Sequence, residues 1–179
     1  MRIVSARTAY EPEPLARALA FKGARQTELW QTVAVLTSAS GAVGVGLGSQ
    51  GVLWSDREVF LRHGEAEANR LMYEVLARTA ARAAGRSFEH PMDLLEDLLP
   101  AASDDARELT GRAELRMTFV LNALVALDLA AWQLYAHEKK IATLEGALPP
   151  AYQAPLGARA RRLLAIPLAG YATPAGEVA

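Results

Sequence analysis

No cysteine occurs among the 179 residues, which excludes disulfides, thiolate metal sites and cysteine nucleophiles. Histidine is scarce as well. His63, His90 and His137 stand far apart, with no ligand-type partner three or four residues away, so the expectation is that this chain alone supplies no metal site. Charge of one sign is also missing: 19 Lys and Arg against 20 Asp and Glu leave a formal net charge of -1, too little for a global field toward nucleic acid or an anionic membrane. Arg159, Arg161 and Arg162 cluster locally, but no aromatic residues are interleaved to stack bases, and a solvated linker is the reading. The opening residues, MRIVSARTAYEPEP, contain no apolar signal core before Pro12, so a cytoplasmic location is expected.

What is present is apolar. Hydrophobic residues make up 51% of the chain and charged residues 22%, the composition of one compact domain, or of one domain plus a piece of another. The segment 116–135, RMTFVLNALVALDLAAWQLY, dominates it. Leu121, Leu124, Val125, Asp128, Trp132 and Tyr135 recur at helical steps while alanines fill the other faces, which predicts a helix buried on nearly every side. Its length approaches the roughly 20 residues that a bilayer requires, but Asp128 at mid-span would be costly in lipid, and no membrane span is expected.

In chain order, residues 1–10 alternate enough to suggest a first strand, which Pro12 and Pro14 should end. Residues 15–22 fit a short helix or an irregular loop. Residues 27–38 are β-branched and aromatic and read as a second strand, and 42–47 as a third, with 30–47 forming an antiparallel hairpin around Ser38-Ala39-Ser40-Gly41. Helices follow. Ser55 and Glu58 have capping-box spacing; 65–84 is amphipathic and ends at Gly85; Pro91 opens a helix that Pro100 should stop; Ser103-Asp104-Asp105 should cap a short one ending near Gly111; the apolar helix then runs 114–138. Residues 147–157 are a Pro-rich connector, and 163–168, LLAIPL, resemble a buried strand with no sequence left to surround it.

Isolated motifs carry little chemistry. Gly46-Leu47-Gly48-Ser49-Gln50-Gly51 matches G-x-G-x-x-G, yet helix signals begin only at Ser55 and no second strand ending in an acid follows, so a dinucleotide site lacks its context. Glu65 with Glu67, and Asp104 with Asp105, sit where helices start, and complementing the helix dipole is their ordinary reason. No catalytic residue is assigned.

Taken in order, these elements resemble the N-terminal capping domain of the enolase superfamily, in the mandelate racemase and muconate lactonizing group. The residues that carry the resemblance are Ala126-Leu127-Asp128-Leu129-Ala130-Ala131-Trp132 in the apolar helix, Gly41 with Gly44-Val45-Gly46 after the hairpin, and Ile166-Pro167-Leu168-Ala169-Gly170-Tyr171 as a first barrel strand. Leu47 stands where the family often has Glu, Gln133 where Asp commonly follows the Trp, and His137-Glu138-Lys139-Lys140-Ile141-Ala142 replaces a Gly-Lys-x-x-Gly-x-Pro segment.

The resemblance implies an α+β fold, a three-stranded antiparallel sheet followed by a helical bundle. It places the capping domain at 1–146, and a connector with the start of a truncated (β/α)8 barrel at 147–179. The barrel would supply the bases and the acidic ligands of Mg2+ for removing a proton next to a carboxylate. Two loops of the cap, 20–25 and 48–54, would close over a small carboxylate substrate. Lys22 would meet its carboxylate, Phe21, Leu53 and Trp54 would form an apolar wall, and Gln50 is a further polar candidate. An ordinary solvated lysine is the alternative for Lys22, and a core or hairpin anchor for Trp54. Asp128 and Trp132 become structural anchors, with Asp128 expected to satisfy a buried backbone group or an arginine. A homo-oligomer is expected. A stand-alone binding or assembly module of the same fold is the alternative function.

Overall fold

The computed structural model describes residues 1–21 and 23–157, in two compact units, Met1–Ala142 and Thr143–Ala179. The first unit is α+β. Strands β1 (Ile3–Phe21), β2 (Ala24–Ser38) and β3 (Val43–Gln50) form one antiparallel sheet in the order β1-β2-β3. Helices α1 (Val52–Ser55), α2 (Arg57–His63), α3 (Glu65–Ala83), α4 (Pro91–Thr110) and α5 (Met117–Lys139) follow. In the second unit, α6 (Leu144–Ala147) is capped by Thr143 Oγ1, which accepts from Gly146 N at 3.2 Å, and α7 (Pro150–Gly157) comes after it. Lys22, the arginine cluster 159–162, the apolar run 163–168 and the expected barrel strand 166–171 lie outside the described residues.

Alternation along the strands sets the layers. Ile3, Ala34 and Leu36 point inward with the β3 glycines and Gln50, and they pack on Leu76, Ala80, Leu127, Ala130 and Leu134. A second cluster joins Val52, Leu53, Val59, Met72 and Val75 to Phe119, Val120 and Leu124. Helix α5 belongs to both. It is long and apolar enough to cross a membrane by length and composition, and half of that window is buried inside the protein. It is not buried on every side, however: Met117, Leu121 and Leu129 are exposed.

Three local rules gave the wrong boundary. Pro12 and Pro14 do not end β1, which continues to Phe21 through a register shift between Pro14 and Leu19. β1 is an edge strand, and two prolines spaced by two can both take outward positions where no ladder bond is lost. Residues 15–21 are therefore strand, and Phe21 pairs with Ala24 at the tip of a hairpin. Pro100 does not end α4, because Leu94, Leu98, Ala102 and Ala106 fill the core every fourth residue while Pro100 sits on the exposed side, where water can serve the freed carbonyl. Ser103 accordingly caps nothing; its Oγ donates back to Leu99 O at 2.8 Å. The start of α2 is capped by Asp56 rather than Ser55: Asp56 Oδ1 accepts from Glu58 N at 3.0 Å and Val59 N at 3.2 Å, since Ser55 is already the last residue of α1.

Candidate functional site

The glycines after the β2–β3 turn set how closely α5 approaches the sheet. A Cβ on Gly44 would lie 2.1 Å from Ala130 O, and one on Gly46 would lie 2.0 Å from Ala126 O and 2.3 Å from Ala130 N. Backbone thus meets backbone along β3, and a side chain larger than hydrogen has no space. Of the G-x-G-x-x-G letters this contact accounts for Gly46 and, less tightly, Gly48, whose Cβ would lie 3.1 Å from Ala126 N, whereas a Cβ on Gly51 would meet only Trp54, at 3.8 Å.

That contact brings polar side chains of α5 to the segment 48–54. Asn122 Oδ1 accepts from Gly51 N at 2.9 Å and Ser55 Oγ at 3.0 Å, while its Nδ2 donates to Ser49 O at 3.0 Å. Thr118 Oγ1 donates to Ser55 O at 2.7 Å, and Arg116 N donates to Asp56 Oδ2 at 3.1 Å. The segment is therefore not a flexible loop. It is the end of β3 joined to the single turn α1, pinned from below. At the opposite side, Glu65 on the first turn of α3 holds the start of β2: its carboxylate accepts from Thr27 N at 2.6 Å, Thr27 Oγ1 at 2.5 Å and Glu28 N at 3.0 Å. Glu65 thus does more than complement the helix dipole, and the one sequence signal for Asn122 is a lone Asn within an apolar helix.

These two supports bring the expected wall residues together unequally. Phe21, at the hairpin tip, and Trp54, on α1, stack with ring centroids 4.8 Å apart at 21°. Trp54 is 68% exposed. Leu53 and Gln50 are instead wholly buried, because the turn of α1 directs Leu53 inward and β3 alternation directs Gln50 to the helix side. Neither Oε1 nor Nε2 of Gln50 finds a hydrogen-bond partner. Beside Trp54 an open groove of about 400 Å³ is lined by Leu29, Ser49, Thr118, Leu121, Asn122 and Val125.

Asp128 is half buried next to Pro91, Leu94 and Leu98 of α4. Burial pushes its carboxyl above the usual range, and a hydrogen bond with Trp132, one turn on, opposes the rise. The expected backbone or arginine partner is thus replaced by Trp132, which also meets His90 edge-on at 5.0 Å. Among the described residues the buried acid that an arginine pairs is Asp105, held by Arg82 between α3 and α4. Among the described residues no three His, Asp or Glu side chains converge as a metal site. His63 lies 3.1 Å from Thr110 O, His90 caps α4 at Met92 N, and His137 Nδ1 lies 2.7 Å from Val43 O.

Neither a protein-family model nor a curated protein matches the chain. Solved structures do. A mandelate racemase/muconate lactonizing protein from Herpetosiphon aurantiacus superposes with a TM-score of 0.50 at 12% identity, over 77% of this chain and 32% of that one. L-Talarate dehydratase from Polaromonas sp. JS666, complexed with Mg and L-glucarate, gives 0.49 at 21% identity, over 77% and 32%. A dipeptide epimerase from Enterococcus faecalis V583, complexed with Mg and L-Leu-L-Tyr, gives 0.47 at 15%, over 78% and 32%. The chain spans about a third of the length of these proteins. At such identity the likeness is one of fold: over the matched residues this chain shares the fold of about a third of a mandelate racemase/muconate lactonizing protein.

Proposed function

We propose that this chain is the N-terminal capping portion of an enolase-superfamily enzyme, a racemase, epimerase, cycloisomerase or dehydratase whose (β/α)8 barrel removes a proton next to a carboxylate. One observation carries the reading. Two segments more than thirty residues apart, the β1–β2 hairpin tip and α1, meet through the stacked rings of Phe21 and exposed Trp54. An aromatic pair presented in this way is suited to closing over an apolar part of a substrate and expelling water, which strengthens charge interactions beneath it. Leu53 and the Asn122 hydrogen bonds hold Trp54 in place from below, and Gln50 lies behind them. Lys22, next to Phe21, takes the substrate carboxylate in this reading.

Mg2+ would belong to the barrel, where it stabilises developing negative charge. The described residues offer no ligand set that fits it. The cap takes residues 1–146 and the connector with the barrel start takes 147–179, in a cytoplasmic homo-oligomer. Reading the gene beyond codon 179 tests the proposal. An open frame encoding Lys-x-Lys and spaced Asp and Glu at strand ends is the expected result; a stop without any barrel elsewhere in the operon would favour the stand-alone module.

A further inference from the structure

The sheet has two faces and two edges, and one face and the β3 edge are covered. The inner face is covered by α3 and α5. Side chains of α5 serve the free edge of β3: Gln133 Oε1 accepts from Val45 N, His137 Nδ1 meets Val43 O and Asn122 Nδ2 donates to Ser49 O. The β1 edge carries Pro12 and Pro14, which cannot donate to an added strand. These groups hinder strand addition along β3 and at the middle of β1, and the outer face is left.

That face is apolar at its centre and charged in opposite senses on either side. Ala9, Val33 and Leu47 pair across the sheet in one row. Two residues toward one end lies the row Arg7, Val35, Val45; two residues toward the other lies Glu11, Gln31, Ser49. Leu47 is 67% exposed, and Val43 and Val45 are exposed beside it. Neither Arg7 nor Glu11 has an ion-pair partner among the described residues.

We propose that this face binds a second copy of the chain about a two-fold axis running along the Ala9–Val33–Leu47 row. Such an axis reverses position along the strands and keeps position across them, so β1 lies over β1 of the second copy. Arg7 of each copy then faces Glu11 of the other, Leu47 meets Leu47 and Val33 meets Val33. The charge pattern is self-complementary about that row. Three strands about 4.8 Å apart and about eight residues long present roughly 400 Å² per copy, half of a standard interface, so the dimer is reversible rather than obligate. This inference gives the homo-oligomer of the proposed function its contact surface and rests on that part of the reading; a monomer would count against the dimer and leave the barrel reading, tested by the downstream gene, where it stands.

Sedimentation velocity on the 179-residue chain over a wide concentration range tests it. Dimer should grow with concentration. Arg7→Glu and Glu11→Arg should each weaken association by about tenfold or more, because each places like charges opposite one another twice per dimer. The double variant Arg7→Glu/Glu11→Arg should recover it, and Leu47→Lys should abolish it. These positions are exposed, and circular dichroism checks that each variant keeps its fold. A monomer at every concentration would overturn the proposal; so would an unchanged dimer in Leu47→Lys, or a double variant no better than the singles.

Discussion

β3 carries glycine on one face and Val43, Val45 and Leu47 on the other, and the two faces meet opposite demands. The glycine face is closed so tightly by α5 that a methyl group would overlap its backbone, whereas on the other face Val43, Val45 and Leu47 are exposed and none of the described helices covers them. Strand propensity alone would favour valine on both. The difference shows that close helix–sheet contact, not the strand itself, fixes the glycines, and that the same contact delivers Asn122 to the segment carrying Trp54.

The largest test of that contrast is a pair of neighbouring substitutions. Gly46→Ala should destabilise the chain by at least about 3 kcal/mol in denaturant unfolding, since its Cβ meets backbone atoms that cannot rotate away. Leu47→Ala, one residue on, should stay within about 0.5 kcal/mol. Equal effects would break the comparison. Asn122→Ala should cost about 2 kcal/mol, because it removes two acceptor contacts and one donor from the α1 segment. It should also raise the mobility of Trp54, read by fluorescence anisotropy. On the closed side, Gln50→Met removes a buried amide without hydrogen bonds and should stabilise by about 1 kcal/mol.

The smallest effect depends on pH. The Asp128 carboxyl, raised chiefly by burial, binds its proton more readily folded than unfolded, so its contribution to stability declines as pH rises from about 4 through the folded value. Asp128→Asn keeps an oxygen for Trp132 and removes the charge. It should be as stable as the parent below pH 4 and at least as stable at pH 7, in thermal melts at both values. A variant less stable at pH 7 would show that the charged form has a partner worth more than its burial costs.

Much of this architecture was legible in the sequence. β-Branched runs and turn residues located three strands, and three- and four-residue periodicity located α3 and α5, because both signals follow from which faces are buried. The misreadings share a cause. Pro12, Pro14 and Pro100 were judged by local backbone rules, while their tolerance depends on lying at a sheet edge or on a solvent-facing side of a packed helix. The site was less legible still. Asn122 bonds to Gly51 and Ser55 across 71 and 67 residues, and no local pattern encodes a contact of that range. Phe21 and Trp54 were singled out by family resemblance; their stacking depends on the extra length of β1 beyond its prolines, which the strand reading had cut short.

The reading of this chain as a lid whose chemistry lies elsewhere is tested most directly by proton exchange. Small carboxylates, including sugar acids and dipeptides, would be incubated in D2O with Mg2+, and deuterium entering next to the carboxylate followed by NMR. The account predicts no exchange with the 179-residue chain alone, and exchange once the polypeptide encoded downstream is joined to it, slowed in that joined protein by Trp54→Ala. Exchange catalysed by the chain alone, abolished by substituting any of its own acids or histidines, would contradict it.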